Sequence, residues 1–206
     1  PIEVRLQLTR SILETLLPLQ PRLTIQTRSP IVTRDLDLLP RFEHLRVNVS
    51  IPTGDESVRL RYEPRAPAIE ARLQAVAQLS RAGIASYVCV APMLPITDPG
   101  RFAERIRATG AKGVYIQFFH QAQDRFASST PGEVVRRARD EGWTYARYLL
   151  VAAELEQALA PVPLRFWYRK DERRVRESVS ARNGPQRASA TLPPRQPCGA
   201  QLHLPG

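Results

Sequence analysis

Cysteine is nearly missing from this chain: Cys89 and Cys198 stand alone among 206 residues. Two thiols so far apart make no disulfide framework and no Cys₄ or three-thiolate metal site. Two free thiols fit a reducing compartment, which points to a cytoplasmic protein. Lysine is nearly missing as well, with Lys112 and Lys170 set against 28 arginines. No apolar run approaches the ~20 residues that cross a bilayer, so no membrane partner is expected. The glycine-rich phosphate loop and the G-x-S-x-G nucleophile elbow are both absent. His44, His120 and His203 have no spacing with cysteine or carboxylates that suggests a metal site. Trp143, Trp167 and the tyrosines fall at core-like spacing, which argues against an aromatic platform for stacked bases.

What is present bounds the rest. A chain of this length makes one domain, and 43% hydrophobic residues suffice for a packed core. It opens on Pro1-Ile2-Glu3, inside a helical pattern, and reads as part of a longer reading frame. The formal net charge is +10. Such a field attracts nucleic acid, and a basic nucleic-acid-binding module is one reading. The arginines are scattered, however, and rise together with alanine and proline, as coding bias in a GC-rich genome would produce.

Periodicity predicts alternating helices and strands. Val4, Leu6, Leu8, Ile12, Leu13, Leu16 and Leu17 form a helical stripe over residues 3–17. Strands are expected at 23–28, 45–51, 84–92 and 113–120, with a closing strand in 162–169. A short helix is expected in 34–41. Ile69, Leu73, Val76 and Leu79 mark a helix face that stops at Gly83. Asp98-Pro99 reads as an N-cap with proline at the first helical position. Thr130-Pro131-Gly132-Glu133 reads as a capping box opening one helix that runs to about residue 159. The expected fold class is therefore α/β, a partial (β/α) barrel with four to five parallel strands. Residues 1–170 form the folded part. Residues 171–206 are an arginine- and proline-rich tail, expected to be disordered because it has too little apolar surface to offset its ordering entropy.

Strand alternation divides the side chains between two faces. Leu45, Val47, Val49 and Ile51 face the helices, so Arg46, Asn48 and Ser50 point inward. By the same count Thr24, Gln26 and Arg28 point inward, and so do Tyr115, Gln117 and Phe119. A closed barrel fills its interior with branched apolar residues. A polar interior implies water or a ligand, or else a mutually hydrogen-bonded interior. Ligands of such folds sit at the carboxyl ends of the strands. That places Arg28 and Ser29, Ser50, Ala91 and His120 around the site. An arginine and a serine on neighbouring strand ends, Arg28 and Ser50, suit a carboxylate. Glu63 and Arg72 read either as an ion pair tying down the loop after the polar strand or as a contact to substrate. Asp35 beside Arg34 reads as structural.

The ordered set Thr27-Arg28-Ser29-Pro30, Arg34-Asp35-Leu36, Asn48-Val49-Ser50-Ile51, Glu63-Pro64, Arg72-Leu73, Ala82-Gly83-Ile84 and Val90-Ala91-Pro92 resembles the radical S-adenosylmethionine superfamily, of the spore-photoproduct-lyase-like kind. The likeness covers about residues 1–120. It implies an iron–sulfur, lyase-like enzyme that cleaves S-adenosylmethionine reductively to a 5′-deoxyadenosyl radical and abstracts hydrogen from a substrate. A DNA lesion is the substrate suggested by the relative, with an external electron donor as partner. By motif position the family's carboxylate-holding lysine and serine fall on Arg28 and Ser50, with Ser29, Asn48 and Ala91 beside them as cofactor contacts. Glu63, Arg72 and Gln117 fall on the loop or substrate side. Arginine in place of lysine keeps the charge and changes the reach. The [4Fe–4S] cluster of such enzymes sits on C-x₃-C-x₂-C, which this chain lacks. The resemblance places those cysteines upstream of Pro1 and implies that the chain alone is inactive. A degenerate, non-catalytic barrel is the remaining alternative.

Overall fold

Five short parallel strands organise the molecule. A computed structural model describes residues 2–119, 130–162 and 164–166. The strands are β1 (Leu23–Thr27), β2 (Leu45–Ser50), β3 (Ala85–Val90), β4 (Gly113–Ile116) and β5 (Leu164–Phe166). All pair in parallel, in the order β1-β2-β3-β4-β5. A sequential order with one hand of crossover lays the connections on one face. This is the open arc of a (β/α) barrel, the α/β class expected from the sequence.

The helix-side face is apolar. Val47, Val49, Val88, Val90, Val114 and Ile116 are all fully buried. Each such burial contributes roughly 1.5–3 kcal/mol. Over them lie α4 (Ile69–Arg81) and α5 (Pro99–Ala108). Ile69, Leu73, Val76 and Leu79 of α4 are buried, at the spacing of one helical face. Phe102 and Ile106 of α5 do the same. Asp98 caps α5 by accepting from the Arg101 amide at 2.8 Å. Gly83 ends the turn after α4 with φ 77°, a left-handed conformation that favours glycine. Ser86 is the polar exception on this face, and its hydroxyl is satisfied by Ser80 of α4 at 2.7 Å.

Several expectations are corrected. The helix expected over 3–17 is two helices, α1 (Ile2–Leu6) and α2 (Leu8–Leu16), broken at Gln7, whose φ is 50°. Of its predicted stripe Leu13 is buried and Leu16 and Leu17 are half-buried against the core, whereas Val4, Leu6, Leu8 and Ile12 are exposed. These helices are held instead by charge: Arg10 pairs with Asp35 and Asp37, and Arg34 pairs with Glu3. The helix expected within 34–41 is a pair of 3₁₀ turns, Pro30–Asp35 and Leu39–Arg41, each with proline at its start. A short helix, α3 (Glu56–Tyr62), was not foreseen. The helix expected from residue 132 to 159 is split into α6 (Gly132–Asp140) and α7 (Tyr145–Leu159) at Gly142, with φ 82°. Pro131 stands at the N-cap of α6 without a side-chain bond, so the capping box is not formed. Thr144 caps α7 instead, accepting from the Arg147 amide at 3.2 Å.

Among the described residues no helix is long and apolar enough to cross a membrane. His120, the tail from residue 171 and Cys198 lie outside the described residues.

Candidate functional site

The face of the sheet turned away from α4 and α5 is polar. Register sets its rows, since parallel partners share a face. Thr24, Arg46 and Ala85 form the first row. Gln26, Asn48, Tyr87 and Gly113 form the second. Ser50, Cys89 and Tyr115 form the third, nearest the carboxyl ends. Asn48 and Ser50 are only 9% and 8% exposed.

Two clusters occupy this face. In the first, Arg46 Nη1 donates to the Tyr115 hydroxyl at 2.9 Å. Its guanidinium lies 5.4 Å from the centre of the Tyr87 ring, within cation–π range. The Tyr87 and Tyr115 rings are 5.5 Å apart. No carboxylate among the described residues pairs with Arg46. The Asn48 Oδ1 is buried and takes no hydrogen bond. Burial pushes the Cys89 thiol up to about 12, against the opposing charge of Arg46.

The second cluster ties the strand ends together. Arg28, just past β1, donates to Glu63 Oε1 at 3.1 Å. Arg72 Nη1 donates to Glu63 Oε2 at 3.2 Å and to the Ser50 carbonyl at 3.0 Å. Arg72 Nε donates to the Pro67 carbonyl at 3.0 Å. Arg72 is fully buried. Burial pulls its pKa down, and the Glu63 charge pulls it back up. Its Nη2 takes no partner.

The fold thus brings Arg28, Ser50, Glu63 and Arg72 into one network, with Asn48 on the same face. Ala91 and Gln117 lie one step beyond the third row, at the ends of β3 and β4, half-buried. The Gln117 carbonyl accepts from the Met93 amide at 2.7 Å. Ser29 stands apart, its hydroxyl accepting from the Ile31 amide at 3.3 Å as the cap of a 3₁₀ turn. Beside this network a cleft of about 680 Å³ opens, lined by Arg28, Ser29, Ile31, Glu63, Pro64 and Pro67 among others. Among the described residues no group of three or more His, Cys, Asp or Glu is placed to hold a metal ion.

Tyr87 was not singled out from the sequence. The run over 84–92 is apolar or small on both faces and hides its alternation. Only the register with Asn48 assigns Tyr87 and Cys89 to the inner face.

No family model matches the chain. Curated relatives do match, among them the following three. ORF301 of Acidianus two-tailed virus is 39% identical over 100 residues, 48% of this chain and 32% of that protein. MJ0683 of Methanocaldococcus jannaschii is 34% identical over 95 residues, 46% of this chain and 36% of that one. Mb2609c of Mycobacterium bovis is 33% identical over 106 residues, 48% and 31% respectively. All three are described as uncharacterized. The matched region spans about a third of their length. Among solved structures, spore photoproduct lyase complexed with dinucleoside spore photoproduct covers 78% of this chain and 57% of its own, at 17% identity and TM-score 0.48. A mutant of that lyase with bound AdoMet and the same dinucleoside gives TM-score 0.48 at 18% identity, covering 79% and 56%. At this TM-score the likeness says nothing about activity.

Proposed function

We propose that this chain is part of a radical S-adenosylmethionine enzyme and contributes strands that cradle S-adenosylmethionine at their carboxyl ends. The ordered motif set from Thr27 to Pro92 supports the reading, and one structural observation carries it. A polar inner face leads to the strand ends and holds a buried amide oxygen on Asn48 that takes no hydrogen bond. An unsatisfied buried acceptor costs roughly 1–3 kcal/mol, a cost that a bound donor removes.

S-adenosylmethionine fits this set. It offers a carboxylate for the Ser50 hydroxyl and an ammonium and ribose hydroxyls for Asn48 Oδ1 and the Gln117 amide. Ala91 leaves room where a larger side chain would fill the space. Arg28 already serves Glu63, so it meets a carboxylate only by sharing its fork of donors. The bound cofactor supplies a reductively cleavable sulfonium. The residues do not fit a [4Fe–4S] cluster. Its three thiolates have no counterpart here, and Cys89 is a buried thiol held protonated. Cluster ligands, an electron donor and substrate contacts would come from outside these residues.

Calorimetric titration of S-adenosylmethionine tests the reading. The expected result is saturable binding that weakens about three- to tenfold in Ser50→Ala, the loss of one hydrogen bond. Binding that is absent, or indifferent to Ser50→Ala and Asn48→Leu alike, refutes it.

A further inference from the structure

We propose that the amino-terminal half of the inner face is an anion subsite centred on Arg46, adjoining the strand-end site at Asn48. It takes a small molecule that carries a phosphate or carboxylate beside a hydroxyl or ammonium donor. Three observations converge on it. Arg46 is half-buried, projects over the Tyr87 ring and is fixed by the Tyr115 hydroxyl at 2.9 Å, with no carboxylate partner among the described residues. A guanidinium held by a neutral hydroxyl and a ring face keeps its charge available and its fork pre-oriented. Other buried or half-buried arginines here are neutralised: Arg72 by Glu63, Arg59 by Glu56, Arg34 by Asp35.

The second observation is Asn48, two residues along the same strand and on the same face. Its Oδ1 is sealed from water without a donor. A group that satisfies it must bring an N–H or O–H, and Arg46 next to it demands negative charge. The pair therefore selects a ligand with both features side by side. The third is reach. Arg46 stands in the first row and bonds the Tyr115 hydroxyl of the third, so the guanidinium extends along the face toward the strand ends rather than away into solvent. Thr24 and Gln26 beside Arg46 and Asn48 are exposed, which leaves the face open on the β1 side.

This subsite shares the Asn48 acceptor with the S-adenosylmethionine reading but takes its anion on Arg46, which that reading does not use, and its test omits the cofactor. Inorganic phosphate and acetate are titrated separately into the full chain, and the Tyr87 and Tyr115 ring resonances are followed by NMR. Saturable ring shifts with either anion support the subsite, and the tighter anion names its class. Arg46→Gln is expected to weaken binding by at least about tenfold. Arg46→Lys retains part of it and guards against a fold defect. O-phosphoethanolamine, which adds an ammonium, is expected to bind about three- to tenfold more tightly than phosphate, and Asn48→Leu removes that advantage. Ring resonances that move with neither anion, or shifts that survive Arg46→Gln unchanged, overturn the proposal. So does displacement of phosphate by S-adenosylmethionine, because Arg46 would then belong to the cofactor's own carboxylate.

Discussion

Replacing Arg72 by methionine isolates the network that joins the strand ends. The guanidinium is fully buried and makes three contacts: the Glu63 carboxylate at 3.2 Å, the Ser50 carbonyl at 3.0 Å and the Pro67 carbonyl at 3.0 Å. Breaking one side of a buried pair costs about 3–5 kcal/mol. Here Glu63 keeps Arg28 as a partner and is 14% exposed, so the low end applies, about 3 kcal/mol. Burial lowers the Arg72 pKa despite Glu63, so desolvation outweighs the attraction within the pair. Removing both members should therefore recover part of the loss. Arg72→Met with Glu63→Leu is expected to cost less than the two single changes added, by about 1–3 kcal/mol. Urea unfolding read through Trp143, in a Trp167→Phe background, measures this. That indole is buried and donates to the Met93 carbonyl at 3.0 Å, so its emission follows the fold. An unchanged slope with urea keeps the comparison two-state. A cost below about 1 kcal/mol for Arg72→Met, or strict additivity in the double variant, refutes the reasoning.

Three further outcomes are expected. A Cβ added at Gly54 meets the Phe102 side chain at 2.7 Å; Gly54→Ala should lose about 1–3 kcal/mol of stability by overpacking, and an unchanged urea midpoint contradicts that. The Cys89 thiol titrates near 12 rather than 9, so in a Cys198→Ser background its alkylation at pH 8 should be about a thousandfold slower folded than in urea; equal rates would place the thiol in solvent. Burial raises Glu156 from 4.5 to about 7. The folded state then holds its proton more tightly than the unfolded state, so stability falls as pH rises from 4.5 through 7. Glu156→Gln should match the parent at pH 4 and exceed it at pH 8 by about 1–2 kcal/mol, the linkage value reduced for solvent access, and a gap that is the same at both pH values contradicts the assignment.

The second strand was legible because its chemistry alternates. Arg46, Asn48 and Ser50 against Val47 and Val49 admit one reading, and β2 has that register. The face of α4 was legible for the same reason. What was not legible depended on partners far away in the chain. The apolar stripe from Val4 to Ile12 predicts burial, yet charge pairs from Arg10 and Arg34 to Glu3, Asp35 and Asp37 set the pose of that segment and leave four of its apolar side chains exposed. No local pattern announces α3. Its N-terminal Asp55 turns its carboxylate to Thr97, accepting from both the amide and the hydroxyl at 2.8 Å, so a local cap signal is spent on a distant loop. At the strand ends, residue type suggested a carboxylate site between Arg28 and Ser50 on neighbouring strands; the partners that Arg28 and Ser29 take, Glu63 and a local backbone turn, have no local signal in the sequence.

The arginine excess bears on the rival nucleic-acid reading. A basic surface for phosphates needs charges that are free and exposed. Arg10, Arg28, Arg34, Arg59, Arg61, Arg72 and Arg105 are each ion-paired, and several also donate to backbone carbonyls. Part of the positive charge is thereby spent on ion pairs, in which a planar fork of donors satisfies carboxylates and carbonyls that lysine would satisfy one at a time. Arg107 shows the same use without a carboxylate, donating to the Ala158 carbonyl at 2.6 Å and pinning α5 to the end of α7. Arg46 departs from this pattern: its partners are a hydroxyl and a ring, and its charge points into the concave face. Net charge alone therefore misstates where this chain can attract an anion. The local field at Arg46 sets the affinity for phosphate, and that affinity should survive removal of residues 171–206, whereas a tail-driven nucleic-acid binder would lose its salt-sensitive binding in the same truncation.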